Sequence, residues 1–357
     1  MKARLLVLPL VIAAILSVAL VAPATAEWTY DLEVKLTYAP YTYRFEKGYV
    51  TVATFDDANL IAYVRVFDTN LSEVLSCSVS VNGAPTAHVY NDSLIVLVAL
   101  NGNGEDVFFI NASDCSIIQQ YPFSPAGDGY VQTMGLEVAG GYIYHLFYDS
   151  SVDSYFLNIY NATGYPVNGY ELGSAAVLGK VRNSGYLILW NGTSYLNITD
   201  GTAGDIEVVD TIELDLGDLA YAMGWYDPSE NAVYIAFANS TGIYLVKRIV
   251  GSATEWVVVL DDDVENVVSY VGPASEGVYV VTLNNYGYRV IDNAVRKEYI
   301  PPNAFGHTIG SEYLFSIDVD NYIVYRWYLE TAAITETTTV TETVTQTVTE
   351  VQYLTET

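Results

Sequence analysis

The residues best suited to hold a cation form one short acidic run, Asp261-Asp262-Asp263-Val264-Glu265. Carboxylates this close repel one another, and a hard cation such as Ca²⁺ relieves the repulsion through oxygen ligands. Asp261, Asp262, Asp263 and Glu265 are therefore the candidate metal ligands, and Ca²⁺ is the only cofactor the sequence suggests. A second oxygen-rich run is Asn101-Gly102-Asn103-Gly104-Glu105-Asp106. Neither run matches a defined calcium-loop spacing, so a solvated acidic loop is the plainer reading of each.

The chain has three histidines. His88 and His307 each stand six residues before a β-rich run that starts at Leu94 and Tyr313. Equivalent inner-strand positions would place both in a central channel, where two imidazoles could bind a metal or exchange protons. With no third ligand evident, two polar channel residues bonded to water are the plainer expectation. His145, inside Tyr142–Phe147, reads as a packed strand residue. Gly-x-Ser-x-Gly, His-Glu-x-x-His and Cys-x-x-Cys are all missing, so the sequence nominates no catalytic residue.

Seven Asn-x-Ser/Thr sequons begin at Asn70, Asn91, Asn111, Asn161, Asn191, Asn197 and Asn239, which are the candidate glycosylation sites. Five of them (70, 91, 111, 161 and 197) are expected in loops on one face, although Asn, Ser and Thr favour turns in any case. Cys77 and Cys115 are the only cysteines. They are a candidate disulfide between consecutive units, and spacing alone leaves them either paired or free.

Export is read from the N-terminus. Lys2 and Arg4 precede an apolar run from Leu5 to Val21, and Ala24-Thr25-Ala26 offers a cleavage point before Glu27. Residues 1–26 are thus expected to be a signal peptide, with no transmembrane segment left after its removal. The formal net charge is −28, from 42 acids against 14 bases. Such a surface repels phosphate backbones and excludes nucleic acid as a partner.

The elements that must position these residues come from a repeated phrase. A Gly, Asn and Ser-rich turn leads into a Tyr, Val, Ile and Leu run, then a polar turn and a second β-rich run, about every 45 residues. It appears as Gly48-Tyr49-Val50-Thr51-Val52, Asp92-Ser93-Leu94-Ile95-Val96, Gly141-Tyr142-Ile143 and Ser184-Gly185-Tyr186-Leu187. It returns as Asn231-Ala232-Val233-Tyr234, Gly277-Val278-Tyr279 and Ser311-Glu312-Tyr313-Leu314. Seven copies of a four-strand unit predict an all-β fold, a seven-bladed β-propeller over 27–330. In the first unit the strands fall at Tyr41–Phe45, Tyr49–Thr54, Ile61–Phe67 and Val74–Val81. The last unit supplies three, Phe305–Ile309, Tyr313–Ile317 and Tyr322–Leu329. Trp28–Leu36 is available as its missing outer strand, so the N-terminal strand is expected to close the ring and remove its open edges.

After Leu329 the composition changes. Residues 331–357 contain the run TETTTVTETVTQTVTEVQYLTET, which cannot build a core and reads as an extended Thr-rich stalk.

The seven units resemble the YVTN and PQQ-like repeat propellers of secreted and surface-layer proteins. The tail resembles the stalks of archaeal cell-surface proteins. The chain departs from neighbouring patterns: no Trp is followed by Asp, and the quinoprotein and sialidase-type boxes are not kept.

The resemblance implies an extracellular or cell-surface location and a non-catalytic binding or scaffolding role. The expected partners are other surface proteins or glycans, with self-association through the stalk. The alternative is an extracellular lyase or hydrolase acting at the acidic loop face or channel mouth.

Overall fold

Runs rich in Tyr, Val, Ile and Thr, broken by polar turns, leave the backbone one economical way to satisfy its hydrogen bonds, and that is pairing with the next run. The computed structural model describes residues 27–213, 219–252, 254–261, 267–308 and 312–330, and every regular element among them is a strand. The expected signal peptide (1–26) and the stalk (331–357) lie outside the described residues.

The strands follow in chain order. β1 (Glu27–Lys35) comes first, then β2 (Ala39–Glu46), β3 (Tyr49–Asp56), β4 (Ile61–Phe67) and β5 (Glu73–Ser80). Next are β6 (Pro85–Asn91), β7 (Leu94–Asn101), β8 (Gly104–Asn111) and β9 (Ile117–Phe123). β10 (Val131–Ala139), β11 (Tyr142–Asp149), β12 (Ser154–Tyr160) and β13 (Pro166–Gly173) repeat the pattern. So do β14 (Val177–Arg182), β15 (Tyr186–Trp190), β16 (Tyr195–Asp200) and β17 (Glu207–Glu213). β18 (Tyr221–Asp227), β19 (Ala232–Asn239), β20 (Gly242–Ile249) and β21 (Thr254–Asp261) come next. β22 (Val268–Pro273), β23 (Val278–Thr282), β24 (Tyr286–Ile291) and β25 (Ala294–Tyr299) precede the last three. These are β26 (Ala304–His307), β27 (Tyr313–Asp318) and β28 (Ile323–Glu330).

Pairing within each group is antiparallel and sequential, with registers such as Val52↔Arg65 and Leu97↔Phe108. The expected seven separate sheets are corrected in one respect. Five four-stranded sheets stand apart, and β14–β17 and β18–β21 merge into one eight-stranded sheet, ordered β17-β16-β15-β14-β18-β19-β20-β21. The junction is a short parallel pairing, Val181↔Gly224 and Arg182↔Trp225. Two glycines allow it. A Cβ on Gly179 would stand 2.1 Å from the Ala222 carbonyl oxygen, and one on Gly224 would stand 3.2 Å from Val181 Cγ2. Without side chains there, the two first strands come close enough to share hydrogen bonds.

The first strands β2, β6, β10, β14, β18, β22 and β26 each approach the next, and β26 approaches β2. They form a closed ring around a channel. Completing the last sheet, β1 lies outside β28 in the order β1-β28-β27-β26. The Leu36 N–H donates to the Tyr322 carbonyl at 2.7 Å, and the Tyr30 ring sits 6.1 Å from those of Tyr325 and Trp327.

The cores lie between neighbouring sheets. Val64 and Val79 of the β2–β5 sheet pack with Ile95, Leu97 and Phe108 of the β6–β9 sheet. Cys77 of β5 and Cys115 of the β8–β9 turn are bonded across this same boundary, with Cα atoms 5.2 Å apart.

Candidate binding site in the channel

Side chains two apart on a strand share a face. Arg44 and Glu46 of β2 therefore project together, as do Lys180 and Arg182 of β14, and Glu137 of β10 stands between them. Arg44 holds Glu137 with both ends of its guanidinium, Nη2 to Oε1 at 3.0 Å and Nη1 to Oε2 at 3.2 Å. Its Nη1 is also 3.8 Å from Glu46 Oε1, which receives Lys180 Nζ at 3.2 Å. Burial works to raise the Glu46 carboxyl, but Lys180, Arg44 and Arg182 outweigh it and hold the group well below the usual carboxylate range.

Arg182 is placed differently. Its Nη2 donates to the Phe45 carbonyl, and its guanidinium lies 4.4 Å from the Tyr270 ring centroid and 5.6 Å from that of Phe45. Among the described residues no carboxylate stands within ion-pair distance of it. Three of the chain's 14 Lys and Arg thus meet in the channel against two carboxylates. The channel wall carries one excess positive charge inside a protein of net charge −28.

Three cavities adjoin this cluster, one of them, about 570 Å³, beside Arg44 and Glu137 among Gln132, Tyr155 and Tyr221. A second, of about 320 Å³, lies within the channel beside Arg44, Glu46, Glu137 and Lys180. The third, about 670 Å³, opens at the end where the turns after the first strands gather, among Lys47, Asn91, Gly140, Arg182 and Asn183.

The histidines are not channel residues, which corrects the expectation for His88 and His307. Both side chains turn onto the preceding sheet, whereas Arg44, Glu46 and Lys180 of other first strands reach the channel. His88, fully buried, is hydrogen-bonded through Nδ1 to Thr42 and through Nε2 to Thr51 at 2.9 Å, both in the preceding sheet. His307 is buried among Trp28, Tyr270 and Tyr279, with neither ring nitrogen partnered. Burial drives His88 down to about 3 and His307 down to about 4. Their positions are equivalent, as expected: each follows the bulge of its first strand by the same step, with His88 opposite Leu97 and His307 opposite Leu314.

His145 is packed in its strand and extends a buried chain. Its Nε2 is 2.8 Å from Thr133 Oγ1, which donates to Glu105 Oε2 at 2.5 Å. Protonation of Nε2 completes this chain and leaves Nδ1 without a donor, which matches its unpartnered state. Burial pushes His145 down to about 3 and Glu105 up.

Of the candidate calcium ligands, Asp261 ends β21. Its carboxylate accepts the Tyr288 hydroxyl and Lys297 Nζ, the latter at 2.7 Å. Asp262, Asp263 and Glu265 lie outside the described residues. Among the described residues no three His, Cys, Asp or Glu side chains group as a metal site would require.

The sequons divide. Asn111 and Asn161 cap turns after third strands, with Oδ1 accepting the N–H and hydroxyl of Ser113 and Thr163. Asn70 accepts Arg326 Nη1 at 2.9 Å, and Asn91 accepts Lys47 Nζ at 2.5 Å. Asn191 is exposed in the β15–β16 turn. Asn197 was expected in a loop but sits inside β16 opposite Leu189 and Thr211, because its turn falls later. Asn239, at the end of β19, is buried and turns its Oδ1 onto Thr241 and Gly242.

The channel cluster was missed at the sequence level. Its only local signal was the placing of scarce basic residues on two first strands, Arg44 on one and Lys180 with Arg182 on the other.

With this geometry established, the class of protein is defined: an all-β propeller with a charged channel. It is similar to the crystal structure of the Cps50 (Swd1) β-propeller domain of Myceliophteria thermophila, with a TM-score of 0.55 and 13% identity, over 85% of this chain and 99% of that one. At that identity the likeness is one of architecture. No family model and no curated protein matches the chain.

Proposed function

We propose that the chain is a secreted or cell-surface protein whose propeller is a non-catalytic binding or scaffolding module in an extracellular assembly. The carrying observation is the channel cluster. Its carboxylates are bound to cations, and its one cation without a carboxylate, Arg182, lies at the mouth beside an open cavity. That arrangement suits recognition of a ligand more than proton transfer.

We count seven blades, reading the eight-stranded sheet as two four-stranded blades joined by the β14–β18 contact. In support, that contact spans two residue pairs, whereas each four-strand group is paired along its strands. The leader pattern at 1–26 and the Cys77–Cys115 bond both favour export to an oxidising compartment. The stalk (331–357) is proposed as the attachment, and the sequons at turns as the glycan-bearing positions.

The test has two parts. The purified propeller, residues 27–330, should bind the cell-surface fraction of its own source. Deleting residues 334–357 should release the protein into the medium while its melting temperature stays unchanged. A propeller that leaves the surface fraction unbound defeats the binding reading, and a truncated form that stays attached defeats the stalk reading.

A further inference from the structure

We propose that the channel mouth binds a carboxylate-bearing sugar ring, the acidic residue of a glycan, with Arg182 receiving the carboxylate. This rests on the reading of the propeller as a binding module and adds what the module recognises.

Charge comes first. Arg182 donates to a neutral carbonyl and covers the Tyr270 ring, so its fork retains donors that no carboxylate among the described residues claims. The channel's excess of one positive charge matches a single carboxylate. A phosphate monoester brings about −1.5 to −2 charges and overshoots it, and a polyphosphate chain also meets the repulsion of a protein at −28. A planar guanidinium also fits a carboxylate with two parallel hydrogen bonds, which a lysine cannot do.

Shape and lining supply the rest. At about 670 Å³ the mouth cavity falls within the size range of small-molecule sites, roughly 300–1,000 Å³. The rings of Trp225 and Tyr90 line it, and such rings pack against the C–H face of a pyranose. Asn183 is exposed at the rim, where its Nδ2 donates to the Tyr226 carbonyl at 3.1 Å and its Oδ1 remains to accept a sugar hydroxyl. A small inorganic anion would have no use for the aromatic walls, and a neutral sugar would have none for Arg182.

Calorimetric titration of the whole chain with glucuronate, glucose and acetate tests the assignment. Glucuronate should bind at least tenfold more tightly than either glucose or acetate, and should weaken several-fold in 0.5 M salt, as expected when an exposed charge pair is screened (Debye length about 4 Å). Arg182→Gln should lose at least tenfold in affinity. Because that change also removes a ring contact, Asn183→Asp serves as a second variant: it lies at the exposed rim and sets a negative charge beside the site. It should also weaken glucuronate at least several-fold in a variant whose cooperative melting shows it folded, with a small fall in melting temperature for the lost bond to the Tyr226 carbonyl. Equal affinity for acetate and glucuronate, no glucuronate binding, or a folded Asn183→Asp variant with full affinity would each overturn the proposal. Those results would not touch binding to the surface fraction, which is read separately.

Discussion

Arg326 Nη2 stands 2.5 Å from Asp31 Oδ2, and Nε of the same guanidinium reaches that oxygen at 2.6 Å, across 295 residues of sequence. The contact joins β28 to β1, and Arg326 Nη1 goes on to the Thr69 carbonyl at 2.7 Å in the neighbouring sheet. One side chain therefore ties the last strand both to the first and to the next sheet of the ring.

Arg326→Met should accordingly lower stability by about 2 kcal/mol, the scale for losing hydrogen bonds to charged groups in a largely buried setting. Deleting residues 27–36 should do far more, because it leaves β28 as an open edge. Denaturant midpoints and light scattering measure the two effects. A deleted form that remains monomeric with an unaltered midpoint would show that β1 adds little.

The Cys77–Cys115 bond closes a loop with a sequence separation of 38. Chain-entropy reasoning assigns such a closure up to about 4 kcal/mol. Reductant should therefore shift the guanidinium unfolding curve to lower concentration, and thiol titration of the untreated protein should find no free cysteine. Overlapping curves with and without reductant would contradict this.

Acid should destabilise the fold through its histidines. His88, His145 and His307 have folded values of about 3, 3 and 4, below the unfolded value of about 6.5. A lowered value means that the unfolded chain binds more protons inside that window. The stabilisation is complete above pH about 6.5 and is lost as pH falls toward the folded values. For three such groups the loss is about 4 kcal/mol between pH 7 and 5.5. Glu105, raised by burial, works in the opposite sense, since its share is present at low pH and lost as pH rises through its folded value. His307→Phe should hold or improve stability at neutral pH, because neither ring nitrogen has a partner. It should also remove about a third of the acid sensitivity. Urea midpoints at pH 7 and 5.5, for both proteins, give the answer.

Glu46 is the anion on which Lys180 and Arg44 converge. Glu46→Gln leaves Lys180 without its counter-charge, while Arg44 keeps Glu137, and should cost about 3 kcal/mol. A double variant with Lys180→Met should recover part of that loss, because it removes the cation left uncompensated. Additive losses in the thermal midpoints would argue against the network.

Turn-and-strand rhythm made the strands legible. Ile61–Phe67 coincides with β4, and Trp28–Leu36 falls within one residue of β1 at each end. The merged sheet was not legible, because it depends on two glycines, Gly179 and Gly224, whose close approach has no counterpart in strand periodicity. Strand assignment also could not tell which way His88 and His307 point. The two histidines meet the preceding sheet while Arg44 and Glu46 of another first strand reach the channel, and strand periodicity does not say which side is which. The charged cluster was hidden for a related reason. Residues 46, 137 and 180 lie far apart in sequence, and only ring closure brings them together.

The pairing of β1 with β28 also orders events in the life of the chain. β1 precedes every other described strand in synthesis, and its partner is the last of them. Each internal four-strand group can form from neighbouring sequence as it appears, while β1 must wait for the whole of it. Bringing strands about 295 residues apart together costs on the order of 5 kcal/mol in closure entropy, and such distant pairing is slow. The last sheet therefore acts as a test of completeness. A chain cut short anywhere before β28 keeps an unpaired first strand and an open edge, which marks it for aggregation or proteolysis.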